Sequence, residues 1–240
     1  MNYFSYNGKT HPALRVKSKS IFSVPKLDVT MTSVPGRNGE LITPGGRFPN
    51  ATVTYTCFVV ARSQAELSAV LTEIKNWLYA EPDRYHELTD TYDTLHTRQA
   101  VISGKLDITE QFLKVGSFTV TFSAKPFKYL RTGLDAQTYT QNFSLTNPYA
   151  FAAKPYLKLN GRGEGELLIQ SEGSNKVWKF KTLNGYTECD AELMNYYHDT
   201  ELKNDTVEGD GFPELPAGTC SISFSGGITS VEIIPRWCTL

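Results

Sequence analysis

The stretch SQAELSAVLTEIKNWLY, Ser63–Tyr79, is the one segment that reads without ambiguity as a long helix, and it divides the chain into two unlike halves. Ser63 followed by Glu66 has the form of a capping box, in which a hydroxyl and a carboxylate each satisfy a backbone N–H at the helix start. Leu67, Val70, Leu71, Ile74, Trp77 and Leu78 then recur at three- and four-residue spacings and form one apolar stripe. Pro82 marks the stop. At about 1.5 Å per residue the helix is ~25 Å long, enough to cover one face of a small sheet. No polar residue interrupts the stripe, so its expected task is packing rather than chemistry.

Working outward, Ala51–Val60 is rich in Thr, Val, Tyr and Phe and reads as a long strand feeding the helix. Before it lie two turn-rich segments, Thr43-Pro44-Gly45-Gly46 and Val34-Pro35-Gly36-Arg37-Asn38-Gly39-Glu40, the second a sharply turned loop. Leu14–Lys19 and Leu27–Thr32 alternate as half-buried strands do, and Asn7-Gly8 after Tyr3–Tyr6 predicts a first hairpin. Beyond the helix, Tyr85–Leu88 and Arg98–Ser103 read as short strands around a polar excursion, Thr89–Thr97. Gly116–Ser123 closes the half, with Pro126 breaking its alternation. Residues 1–132 are therefore expected to form an α+β unit, a mostly antiparallel sheet or sandwich carrying one helix.

Ala124–Asn147 has no sustained periodicity, which places the domain boundary near Gly133–Thr140. Residues 133–240 read as all strand. Pro155–Asn160, Glu166–Ser171, Val177–Leu183, Cys220–Phe224 and Ile228–Pro235 are expected as strands. Gly161–Gly165, Asn184-Gly185 and Gly226-Gly227 are expected as the turns between them, the signature of a β-sandwich or jelly roll.

The composition, 40% hydrophobic and 20% charged over 240 residues, suits two domains with real cores. Met1–Lys9 does not read as a signal peptide, and no apolar run approaches the ~20 residues of a membrane span. A product made in a cytosol, without a membrane partner, is expected. Cys57, Cys189, Cys220 and Cys238 lie far apart and form no C-x-x-C, which points to buried thiols rather than a zinc site or disulfide framework. Residues 1–132 hold 16 Lys and Arg against 11 Asp and Glu, and residues 133–240 hold 8 against 14. The basic excess, concentrated in Lys9–Arg47, could meet an acidic partner or a nucleic acid backbone, but no dense basic run with interleaved aromatics occurs.

Three constellations invite a chemical reading. Gly161-Arg162-Gly163-Glu164-Gly165 resembles a phosphate loop, yet no helix pattern follows to aim its N-terminus at an anion. His86 and His96 bracket Asp90 and Asp93, at a spacing that matches no metal template. Glu188, Asp190, Glu192, Asp199 and Glu201 could supply a glycosidase pair, with Tyr186, Tyr196, Tyr197 and Trp178 to stack on sugar. No serine or cysteine sits in a nucleophile motif. The expectation is a non-enzyme without metal or cofactor.

Two groups of residues carry a resemblance. The loop Val34-Pro35-Gly36-Arg37-Asn38-Gly39, with strand and helix behind it, resembles an I-P-G-R-D-G element. Phe212–Gly218, with Pro213, Leu215 and Gly218, leads through an Ile-rich strand to Pro235-Arg236-Trp237, resembling a P-x-L-x-x-G and a closing P-R-W. In this order, and over most of the chain, they resemble the distal tail protein family of phages with long non-contractile tails. Val34, Asn38 and Cys220 depart from the usual residues.

The resemblance implies a structural protein of the virion tail tip, assembled in the bacterial host cytoplasm. It implies a homohexameric ring formed by a tail-tube-like N-terminal β-sandwich with one long helix, residues 1–132. A galectin-like β-sandwich, residues 133–240, would sit outside. Such a ring joins the tail tube protein to the tail-hub or tail-associated lysin protein, offers sites for receptor-binding or baseplate proteins, and passes DNA through its lumen. Val34–Gly39 is the candidate subunit-interface loop. The rival expectation is a carbohydrate-binding β-sandwich module for adsorption to the host wall.

Overall fold

The computed structural model describes residues 2–20, 24–111 and 114–240. They form a mainly β protein with one α-helix among the described residues. The chain divides into two compact units, one comprising the residues through Lys128 together with Leu240, the other Tyr129–Thr239.

In the first unit, β1 (Phe4–Tyr6), β2 (Arg15–Lys19), β3 (Val29–Ser33), β4 (Glu40–Pro44) and β5 (Ala51–Val60) precede α1 (Gln64–Leu78). After it come β6 (His86–Asp90), β7 (Asp93–Ile102), β8 (Ile108–Gln111) and β9 (Val115–Leu130), the last crossing into the second unit. The main sheet runs β1-β6-β7-β9-β5-β2, with β8 also on β9, and its two ends meet where the Val16 N–H donates to the Asn2 carbonyl at 3.1 Å. Val53, Tyr55, Cys57 and Val59 of β5 and Phe118, Val120 and Phe122 of β9 point into one core. Leu67, Ile74 and Leu78 of α1 are buried against it, each contributing about 2 kcal/mol. A Cβ on Gly116 would stand 3.4 and 3.5 Å from the Leu71 and Leu67 side chains, in ordinary contact with the helix that lies over β9.

The helix start follows the expected chemistry with one change. The Glu66 N–H donates to Ser63 Oγ at 3.2 Å, while the Glu66 carboxylate reaches the Arg62 amide at 2.7 Å, one residue earlier than the box requires. Other expectations are corrected. Asn7 and Gly8 both take positive φ and turn the chain, but only Tyr6 and Lys9 bridge. Pro12, with no N–H to give, stands where a return strand would run, and β1 pairs with β6 instead. The polar excursion Thr89–Thr97 is the turn and second strand of the β6–β7 hairpin. There Asp90 Oδ1 caps the Tyr92 and Asp93 amides at 2.8 and 3.1 Å. Pro126 does not break β9, because it withdraws one N–H without bending the chain. Leu27–Thr32 is no half-buried strand either: β3 and β4 form a separate two-stranded sheet, exposed except for Val29.

The second unit begins with a 3-10 turn at Arg131–Leu134, followed by β10 (Gln137–Tyr139), β11 (Phe143–Asn147), β12 (Tyr156–Ser171) and β13 (Ser174–Asp190). Then come β14 (Asn195–His198), β15 (Glu201–Leu202), β16 (Val207–Gly209), β17 (Gly218–Ile234) and β18 (Cys238–Thr239). The sheet order is β10-β17-β12-β13-β14-β15, with β11 on β17 and β16 on β13. Here the three expected turns prove to be bends inside continuous strands. Gly161 pairs with Gly185 on one side and Ile228 on the other, and Gly165 pairs with Gly226, with register shifts between these positions.

The glycines lie side by side across β12, β13 and β17, so all three strands fold along one line. A Cβ on Gly161 would stand 2.0 Å from the Gly227 carbonyl oxygen, and one on Gly227 2.0 Å from that of Arg162. The fold-over is visible in β13. Tyr196 pairs with Cys189, ~30 Å along a straight strand from Phe180, yet the Phe180 and Tyr196 rings lie 6.0 Å apart. Leu157 and Leu159 before the bend and Leu167 and Ile169 after it belong to a single core.

All four cysteines are buried and unbridged; burial pushes the Cys57 and Cys189 thiols up to about 12. No described helix is long and apolar enough to cross a membrane.

Candidate functional site

The loop Val34–Gly39 forms the tip of the β3–β4 hairpin. Pro35 and Gly36, the latter at φ 80, make the centre of a type II turn closed by the Arg37 N–H on the Val34 carbonyl at 3.1 Å. Gly39 follows at φ 82. A side chain on either glycine would meet nothing within 4 Å, so the backbone alone demands them. The hairpin pairs Met31 with Ile42 and Val29 with Pro44 on one face, and Thr32 with Leu41 on the other. Met31 and Ile42 are 57% and 60% exposed. At its base Arg47 pairs with Asp28 at 2.7 Å, and the Gly45 N–H donates to the Asp28 carbonyl at 2.7 Å. Two strands alone are marginally stable in water, and this hairpin leaves the apolar side chains of Met31 and Ile42 exposed.

The C-terminal residues lie apart from that loop, within the second unit, and act on its own framework. Leu215 is buried and exchanges paired backbone bonds with Ala153, both at 2.9 Å, while the Asn147 side-chain amide donates to the Leu215 carbonyl. Pro213 and Pro235 are buried, and Gly218 opens β17 at φ 81. Arg236 takes a left-handed φ of 57 and donates its amide to the Gly133 carbonyl at 2.8 Å. Its guanidinium holds Asp190 through two bonds of 2.8 and 2.9 Å. Trp237 is buried, accepts from the Leu130 N–H, and packs where a side chain on Gly133 would clash with it. Together these contacts clasp the residues entering the unit to those leaving it. Burial alone would raise the Asp190 carboxyl, but the Arg236 guanidinium and the Leu193 and Glu192 amides outweigh it and hold it below the usual carboxylate range.

The residues with catalytic or metal-binding potential are otherwise engaged. Asp90 binds Lys19 at 2.5 Å and the Tyr55 hydroxyl at 2.6 Å; Asp93 binds His96 and Lys128; His86 contacts the Glu81 carbonyl. Among the described residues no three His, Cys, Asp or Glu are grouped to hold a metal ion. Glu188 is bound by the Tyr156 hydroxyl, Asp199 by Tyr186, Glu201 by Lys203, and Glu192 by Tyr129. Of the aromatics considered for sugar stacking, Trp178 and Tyr196 lie in the core. Gly161–Gly165 is part of the bend and cradles no anion at a helix start. Asp190, the partner that explains Arg236, was legible only as one acidic residue among several, because 46 residues separate the two.

Neither a protein-family model nor a curated protein matches the sequence. Solved structures do. The Dit protein of phage SPP1, described as a paradigm of the hub adsorption apparatus in phages that infect Gram-positive bacteria, superposes with a TM-score of 0.75 at 13% identity, covering 97% of each chain. A chain of the phage p2 baseplate, in its activated conformation with strontium, matches at a TM-score of 0.50 and 9% identity, covering 98% of this chain and 97% of that one. What is shared at such identities is architecture, and in its architecture this chain is Dit-like.

Proposed function

We propose that the protein is a structural component of a phage tail tip. Six copies close into a ring through the first unit, joining the tail tube to the tail-hub protein around the passage taken by DNA. The second unit stands outside and offers attachment sites to receptor-binding or baseplate components. The observation that carries this reading is the correspondence of both units, in order and over 97% of each chain, with Dit of SPP1. The bare β3–β4 hairpin supports it from within. A separate sheet with Met31, Leu41 and Ile42 in solvent is costly in a lone subunit and useful as an arm laid on a neighbour. A structural rather than catalytic role is the reading supported by the likeness to a hub protein.

Light scattering on fragments tests the division of labour. A fragment of residues 1–128 is expected to oligomerise and one of residues 129–240 to remain monomeric. A hexameric second fragment beside a monomeric first would reverse the assignment.

A further inference from the structure

Beside the bridge between Ala153 and Leu215, the second unit holds a cleft of about 140 Å³. That is close to the roughly 150 Å³ of an engineered protein cavity that takes up a benzene ring. Ile169 of β12 and Trp178 of β13, both buried, form its apolar base, and Ala152 and Pro216 lie nearer its mouth. The walls are fixed. The Trp178 indole N–H donates to the Gly211 carbonyl at 2.9 Å. The segments carrying Ala152 and Pro216 are locked by the two 2.9 Å backbone bonds between Ala153 and Leu215. The buried Asn147 amide adds to the lock, donating to the Phe151 and Leu215 carbonyls at 2.9 and 3.1 Å. A cleft held in this way loses little freedom when it takes a ligand.

Its mouth is polar. Ser171 pairs with Ser174 and Ile169 with Lys176 across the β12–β13 hairpin, and all four line the cleft. Lys176 thus stands on the same side of β13 as Trp178 and Phe180, where the alternation calls for an apolar residue. Glu214, beside Leu215, lines the cleft as well. The next lysines of β13 are paired, Lys179 with Glu166 and Lys181 with Glu208. Among the described residues, neither Lys176 nor Glu214 takes part in an ion pair or a side-chain hydrogen bond. We infer that this cleft binds a single sugar ring, a pyranose, whether or not copies of the chain close into a ring. The lining selects the class. An ammonium only donates, a carboxylate only accepts, and the two serine hydroxyls do both. Each hydroxyl of a sugar also does both, so a neutral pyranose satisfies all four groups while its C–H face covers the apolar base. Hydrogen bonds to the two charged groups are about twice as strong as neutral ones. A free zwitterion would depend on ion pairs at an open mouth, where water leaves little net gain.

Saturation-transfer NMR on the full chain tests this, with glucose, galactose, rhamnose and N-acetylglucosamine as the sugar probes and alanine as the zwitterion. At least one sugar is expected to bind with a Kd on the order of 1 mM, its ring C–H protons the most strongly saturated. Lys176→Met and Glu214→Ala alter side chains without partners, so both should melt with the wild type and weaken binding about tenfold each. Ala152→Phe, at an exposed position of the lining, fills the space and should abolish binding. Three results overturn the inference: no sugar bound at about 20 mM, a sugar bound equally by the wild type and Ala152→Phe, or alanine bound in preference to every sugar. If Ala152→Phe melts early, the two charge variants decide, and binding that neither weakens overturns the inference as well.

Discussion

The β3–β4 hairpin of the first unit and the folded strands β12, β13 and β17 of the second are built from the same residue and need it for different reasons. Gly36 and Gly39 have empty space around them and serve only to reverse the chain. Gly161 and Gly227 have carbonyl oxygens 2.0 Å from where a side chain would begin, and let neighbouring strands bend together. One region is finished within its own unit, with its apolar residues in a common core. The other leaves its apolar residues in water. Glycine at the bend therefore belongs to folding, whereas the proposed ring assigns the glycines of the bare hairpin tip to assembly.

That contrast can be broken most severely at the bend. Gly161→Val places a branched side chain against the Gly227 carbonyl, backbone that cannot yield, and should cost more than about 4 kcal/mol. Calorimetry is expected to show the second unit's transition lost and the first unit's retained. Simultaneous loss of both would mean that the units do not fold separately.

The clasp is the next strongest point. Asp190→Asn leaves Arg236 without its carboxylate and should destabilise the second unit by about 3 kcal/mol at neutral pH. Because the Asp190 carboxyl is held low in the folded protein, its contribution is present above the unfolded carboxylate pKa of about 4 and disappears as pH falls through the folded value. The wild-type melting temperature should accordingly fall below pH ~4, and the variant should lack that share of the fall. An unchanged acid dependence in the variant would assign it to other carboxylates.

Much of this was legible in advance. Ser63, Glu66 and the apolar stripe define α1 because helix capping and periodicity are local. The positions of the glycines were equally plain, and their meaning in the second unit was not. Positive φ at Gly163, Gly185 and Gly226 serves a bend as well as a reversal, and only the alignment of these glycines across three strands distinguishes the two. Pairings such as Gly161 with Gly185 and Asp190 with Arg236 are non-local, and spacing along a chain does not report them. The tip Val34–Gly39 was readable as a sharp loop because its conformation depends on its own residues. That the hairpin behind it stays bare follows from the sheet order, in which no other strand among the described residues pairs with β3 or β4.

Smaller effects sharpen the comparison. Ser63→Ala removes the acceptor of the Glu66 amide and should lower the first unit's stability by about 1 kcal/mol, leaving the second unit unchanged. The double variant Gly36→Val with Gly39→Val forces branched side chains into left-handed backbone, so it should unravel the hairpin tip and weaken assembly, while the remainder of the first unit keeps its melting transition. Normal assembly together with a lowered melting temperature would make the tip a structural turn and no more.

The ring itself is tested most directly by negative-stain imaging of the purified full chain at micromolar concentration, alone and with the tail-hub protein. Closed particles with six-fold symmetry and a central pore are the predicted result. Single compact particles under both conditions, with no ring in any view, would contradict it.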